Sequence, residues 1–183
     1  LRGVVAFGLH GLQGVLGGIY ARADGHPEAV WQAIYDQYQP GGIDDPLPRG
    51  RIGRIAALAD RIDTLVGFFG LGAIPTGSKD PYGLRRAALA VVRLLLEGGI
   101  ALGLEQVTRG AWQCHSGLKL SEDETWAKLK PFFEDRVRYL LGMRGPLAAF
   151  VPKPGVYLTN NVYYYDAGRD DLTPITDLVV GDI

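Results

Sequence analysis

Glycine is crowded into the part of this chain that is patterned as helix. Of 26 glycines, 20 fall in residues 1–110 and 6 in residues 111–183. That is about twice the average glycine share. Each glycine inside a helix costs up to about 1 kcal/mol relative to alanine. Helices that keep so many need close packing against a neighbour, or tight loops between them, to offset that cost.

The rest of the composition is ordinary for a globular chain, with 47% apolar and 21% charged residues, which excludes a fully disordered chain. A length of 183 residues allows one domain, or one domain plus a tail. Cys114 is the single cysteine. This excludes an internal disulfide framework and a cysteine-built zinc site. The net charge of −1 gives no global attraction to a polyanion. The sequence begins at Leu1 and shows no secretory signal. The longest apolar stretches, residues 65–71 and 87–96, fall short of the ~20 residues that span a bilayer. The expectation is a cytoplasmic protein with no membrane partner, and a piece lacking its natural start.

Leu9, Leu12, Leu16, Ile19 and Tyr20 recur on one helical face, interrupted by Gly11, Gly14, Gly17 and Gly18. Pro27 suits a first helical turn. Val30, Trp31, Ile34 and Tyr38 mark a second helix ending at Pro40-Gly41-Gly42. Residues 52–69 read as a third, burying Ile55, Leu58, Ala59, Ile62, Leu65, Val66 and Phe69. Asp80-Pro81 combines an N-cap with a proline at the first helical position. That predicts a fourth helix over 81–97, continued with a kink through Gly98-Gly99 to Leu104. Ser121 with Glu124 fits a capping box. A helical pattern follows through Leu141, with Pro131 predicting a kink or two shorter helices. Residues 156–159 and 162–165 flank Asn160-Asn161 as a candidate β-hairpin. The fold class read from this is mainly all-α, with a helical domain over 1–142 and an irregular tail over 143–183.

Residues 1–93 carry a balance of +2 and residues 94–183 one of −3. The positive charge gathers in Arg49, Arg51, Arg54, Lys79, Arg85 and Arg86, near loops that a fold would need to bring together. Residues 72–79 superficially resemble a phosphate loop. Ser78 precedes Lys79, however, and the preceding element reads as helix where the motif needs a strand. A turn into an N-cap supplied by Ser78 or Asp80 is the simpler reading. A helix N-terminus beside Lys79 remains able to meet a phosphate of a larger ligand. Asp60 and Asp63, one helical turn apart, are read as structural groups that cap a loop or pair with an arginine such as Arg85. His10, His26 and His115 show no metal-ligand spacing with them. Arg85-Arg86 at a helix start conflicts with the positive end of the helix dipole. A paired carboxylate or a bound anion would remove that conflict.

Several blocks together resemble the beta subunit of bacterial tetrameric glycyl-tRNA synthetase. They are Leu12-Gln13-Gly14 with Gly17 and Tyr20-Ala21, Ala59-Asp60-Arg61-Ile62-Asp63-Thr64-Leu65-Val66-Gly67, Pro75-Thr76-Gly77-Ser78-Lys79-Asp80-Pro81, and Leu84-Arg85-Arg86-Ala87-Ala88-Leu89. The resemblance is best over residues 9–97 and weaker over 133–141. It departs from the family at Ala6-Phe7-Gly8-Leu9-His10-Gly11 and at Gln37, where the family usually has histidine.

The resemblance implies an HD-like helical domain within a beta subunit that works with a separate alpha subunit. The alpha subunit would make glycyl-adenylate from glycine, ATP and Mg2+, while the beta subunit binds and positions tRNA(Gly). The expected RNA-contacting residues are Lys79, Arg85, Arg86, Arg51 and Arg54. Asp60, Asp63, Ser78 and Asp80 are structural, and no catalytic residue, metal ligand or cofactor is assigned to this segment. Two alternatives stand beside this. One is a divalent-metal-dependent HD-type phosphohydrolase. The other is a non-catalytic helical interaction domain.

Overall fold

Close glycine contacts join the first two helices, whereas large apolar side chains fill the core of the later ones. The computed structural model describes residues 12–76 and 80–143, together with the backbone of residues 155–158, 162–166 and 171–174. Helices α1 (Val15–Ala23) and α2 (Glu28–Asp36) form a hairpin. A Cβ placed on Gly18 would lie 2.5 Å from Tyr35 Cβ, and one on Gly14 would lie 2.7 Å from the Tyr35 carbonyl. The hairpin therefore closes by backbone approach. Helix α1 buries Gly18 and Ala21, while Ile19 and Tyr20 face solvent. This corrects the expected apolar face, of which Leu9 lies outside the described residues. The small side of the helix permits the closest contact, so that side turns inward. Helix α2 likewise buries Ala33 and Asp36 and leaves Val30 exposed. Pro27 is its cap residue, and the helix ends before Tyr38.

Helix α3 (Gly50–Gly70) buries Leu58, Ile62, Leu65, Val66 and Phe69, as its periodicity predicts. Ile55 and Ala59 face outward instead. Helix α4 (Leu84–Leu96) begins three residues later than expected. The chain turns first, with Gly83 N–H donating to the Asp80 carbonyl at 3.1 Å and Gly83 at φ +67°, a left-handed conformation that favours glycine. The helix also stops earlier. Gly99 has φ +65°, and a side chain on Gly98 would run into the Leu94 carbonyl. No kinked extension to Leu104 forms. A separate helix α5 (Leu104–Gln113) starts there. Its apolar groups are only Leu104, Val107, Ala111 and Trp112, packed on the core.

Helix α6 (Glu122–Met143) opens on the expected capping box. Ser121 N–H donates to Glu124 Oε2 at 2.8 Å, and Glu124 N–H donates to Ser121 Oγ at 3.3 Å. The helix runs through Pro131 as one element, not two. Pro131 lies on the exposed side, where water can satisfy the carbonyl that loses its donor. Leu129, Phe133, Val137 and Leu140 point inward. They meet Leu65, Val66 and Phe69 of α3 and Val91, Val92 and Leu94 of α4 in one apolar cluster. That cluster takes no residue from α1 or α2. The mainly helical reading thus holds.

Toward the C-terminus, strands β1 (Gly155–Leu158), β2 (Val162–Asp166) and β3 (Asp171–Pro174) form an antiparallel sheet in the order β1-β2-β3. The first two correspond to the candidate hairpin, with Leu158 opposite Val162. The third goes beyond that expectation. Asn160-Asn161 and the rest of 144–183 lie outside the described residues. No helix among the described residues is long and apolar enough to cross a membrane.

Candidate nucleic-acid interface

The start of α4 gathers cations around a carboxylate cap. Leu84 N–H donates to Asp80 Oδ1 and Arg85 N–H to Asp80 Oδ2, each at 2.8 Å. A negative group thus sits at the positive end of the helix, where it offsets the conflict raised by Arg85-Arg86. The same two bonds occupy the donors that a phosphate would seek, so the α4 terminus is not an open anion cradle. Arg85 is half-buried. Arg86 is exposed, and its Nη2 lies 3.1 Å from the position of a Cβ on Gly83. Among the described residues it has no ion pair. Tyr82 is 61% exposed, with its ring 4.5 Å from that of Phe68. Ser78 and Lys79 lie outside the described residues.

The other two cations of the predicted set stand at the opposite end of the helix pair. Arg51 is exposed near the start of α3. Arg54 donates through Nε to the Pro48 carbonyl at 3.1 Å and through Nη1 to the Gly98 carbonyl at 2.9 Å. Gly98 follows the end of α4, whereas Phe68, near the end of α3, meets Tyr82 before the start of α4. The two helices therefore run antiparallel. Arg85 and Gly98 are separated by about 20 Å at 1.5 Å per residue. Among the described residues, Arg51 and Arg54 do not share a patch with Arg85 and Arg86.

Arginines outside the predicted contact set hold residues 37–49 in place. Arg61 Nη1 donates to the Gln37 carbonyl at 2.8 Å and to the Ala57 carbonyl at 3.0 Å. Arg93 Nη1 donates to the Gly42 and Asp45 carbonyls at 2.7 and 2.8 Å, and its Nη2 pairs with Glu97 at 2.9 Å. Arg93 is only 4% exposed, which separates it from the solvent-facing Arg86 on the same helix. Burial pushes the Arg61 guanidinium below its usual range. Arg49 holds the buried Asp36 carboxylate through Nε at 2.8 Å and Nη2 at 2.9 Å. These bonds to Asp36 raise the Arg49 pKa. The signal for Arg61 and Arg93 is present in the sequence, since each interrupts an apolar run on a helix. A long cation there needs acceptors, and loop carbonyls supply them.

Asp63 Oδ1 stands 3.0 Å from His115 Nε2, a partner from beyond α5 that no local pattern indicates. Thr64 Oγ1 donates to the Asp60 carbonyl at 2.8 Å. Among the described residues no three His, Cys, Asp or Glu side chains gather as metal ligands.

Residues 4–151 match the family model described as glycyl-tRNA synthetase beta subunit. The glycine–tRNA ligase beta subunit of Acidobacterium capsulatum is 47% identical over 135 residues, which cover 73% of this chain and 19% of that protein. The corresponding subunit of Magnetococcus marinus is 46% identical over 138 residues, covering 73% and 20%. That of Nitratidesulfovibrio vulgaris is 44% identical over 136 residues, covering 73% and 20%. The chain thus spans about one-fifth of the length of the curated relatives it matches.

Proposed function

Because the chain belongs to the glycyl-tRNA synthetase beta subunit family, we propose that it supports ATP-dependent attachment of glycine to tRNA(Gly) by binding and positioning the tRNA. In this reading a separate alpha subunit makes the adenylate with ATP and Mg2+, and the two subunits form an α2β2 complex in the cytoplasm. The helical unit carries the tRNA role, and the segment supplies no catalytic group. ATP is assigned in this reading to the alpha subunit.

The observation that carries the reading is the exposed Arg86 cation, without an ion pair among the described residues, beside Arg85 in a chain of this family. The Arg86 guanidinium can meet phosphate without giving up an ion pair among the described residues. Arg54 is engaged by two carbonyls. Its part is to hold the loop and the end of α4, while Arg51 marks a second contact about 20 Å away.

The test is glycylation by purified alpha subunit with full-length beta subunit carrying Arg85→Ala/Arg86→Ala. The tRNA KM should rise several-fold, and the slope of log affinity against log salt should shrink by roughly one for each phosphate no longer neutralised. Unchanged affinity and rate at an unchanged Tm would remove the RNA-contact role.

A second role, packing within the complex, draws on Ile52, Ile55 and Ala59, which form an exposed apolar stripe on α3. Ile52→Asp/Ile55→Asp should weaken capture of alpha subunit or of other beta-subunit domains. Intact capture would remove that role.

A further inference from the structure

Beside Arg86 lies a feature that phosphate contacts do not use. A cleft of about 300 Å³ is lined by Ala73, Ile74, Pro75, Thr76, Pro81 and Tyr82. This volume is at the small end of ligand-binding pockets. One wall is the Tyr82 ring, backed by Phe68 at 4.5 Å and otherwise 61% exposed. Two prolines and Ile74 make most of the remaining lining flat and apolar. Tyr82 is not a member of the buried apolar cluster and touches only its edge through Phe68, which packs on that cluster. The Arg86 guanidinium lies over Gly83, the residue next to Tyr82. An aromatic wall, an apolar slot and a neighbouring cation are what an unpaired nucleotide requires. The ring face stacks the base, the slot excludes water from it, and the guanidinium meets its phosphate.

We infer that this cleft takes one unpaired base of the bound tRNA, stacked on Tyr82, with Arg86 on the adjoining phosphate. The inference rests on the tRNA reading above and narrows it to single-stranded RNA at this point. Charge complementarity favours RNA over an apolar peptide as occupant, since a peptide would leave Arg86 unused. Within the described lining, Thr76 and the Tyr82 hydroxyl are the side-chain groups able to hydrogen-bond a base in the slot.

The alpha–beta complex tests this with Tyr82→Ala, Tyr82→Phe and Arg86→Ala, each titrated with tRNA(Gly) over a range of salt. Tyr82→Ala should weaken binding by roughly 5- to 150-fold, the range spanned by base–aromatic stacking, with an unchanged salt slope. Tyr82→Phe should bind as the parent does, and an unchanged Tm for Tyr82→Ala shows that its weaker binding does not come from unfolding. Arg86→Ala should lower the slope by about one. Unchanged affinity for Tyr82→Ala, with Arg86→Ala still defective, overturns the base site and leaves the phosphate reading standing. Unchanged affinity for all three variants overturns both. A Tyr82→Ala variant that loses alpha-subunit association but keeps its tRNA affinity assigns the cleft to a protein side chain and overturns the inference.

Discussion

The α1–α2 hairpin and the α3–α4–α6 core are both helical, and they close by opposite means. The hairpin brings backbones together at Gly14 and Gly18, buries alanines, and leaves Ile19, Tyr20 and Val30 in solvent. The core interdigitates Leu, Val and Phe side chains, and its helices turn most of their apolar residues inward as their sequences predict, with Ile55 and Ala59 of α3 facing outward. An apolar stripe identifies the buried face where side-chain bulk does the packing. It misidentifies that face where the absence of a side chain does.

Several substitutions would break or sharpen this contrast. The largest effect is expected in the core. Phe133→Ala should cost about 3–5 kcal/mol in denaturant unfolding, because the side chain is enclosed on all sides and leaves a cavity. A smaller destabilisation would mean that the core collapses around the gap.

Next comes Arg93→Ala, at about 3 kcal/mol, since it removes the donor of two carbonyls and a largely buried ion pair with Glu97. Arg86→Ala, seven residues earlier on nearly the same side of α4, should stay within about 0.5 kcal/mol. Similar destabilisation by the two, read by thermal unfolding, would contradict the difference in their surroundings.

Gly18→Ala tests the hairpin itself. The new methyl group meets the Tyr35 backbone, and the forced separation should cost about 1–3 kcal/mol despite the gain in helix propensity. Gly110→Ala in α5 is its counterpart. Nothing lies within 4 Å of a Cβ there, so the change should stabilise by about 0.4–1 kcal/mol. If both alanines stabilise, the hairpin is not closed by backbone contact.

The smallest effect concerns pH. Ser121 N–H and hydroxyl bonds hold the Glu124 carboxyl below its ordinary value of 4.5. The carboxylate therefore favours the folded state above that value, and the contribution disappears as pH falls through the lower folded pKa. Glu124→Gln should flatten the acid side of the stability curve, measured by thermal unfolding between about pH 5 and pH 2. An unaltered acid limb would mean that the capping box is not formed in solution.

Much of the fold is legible from local chemistry. The Ser121–Glu124 box, the inward face of α6, most of α3 and the apolar rows of α4 follow from spacing and capping alone. The errors cluster where a distant segment intervenes or a turn comes between. Pro81 promises a helix start, but the Asp80 carboxylate reaches over a turn to cap Leu84 and Arg85. Helix α5 goes unread although Leu104, Val107, Ala111 and Trp112 recur at helical spacing, because the expected extension of α4 runs up to its first residue. Asp80 is legible as a capping residue, and Arg85-Arg86 as a charge conflict needing a carboxylate. The Tyr82 cleft is not legible in the sequence, since it exists only where residues 73–76 are brought against Pro81 and Tyr82.

The sequence by itself determined that the chain is helical, where α2, α3 and α6 begin, and, through its blocks of matched residues, which family it resembles. These follow from local propensity, capping and identity, which need no partner in space. Tertiary structure alone decided how the cations divide. Arg86 and Arg93 have the same chemistry, yet the loop of residues 41–47 covers one and leaves the other in solvent. Arg51 and Arg85 belong to one basic region of sequence, yet antiparallel packing of α3 and α4 sends them to opposite ends. A guanidinium takes its function from the acceptors within reach, and those are set by how the chain folds back on itself. For the glycines the division is the same. Their number is plain in the sequence, and only the approach of Tyr35 to Gly18 shows what their missing side chains allow.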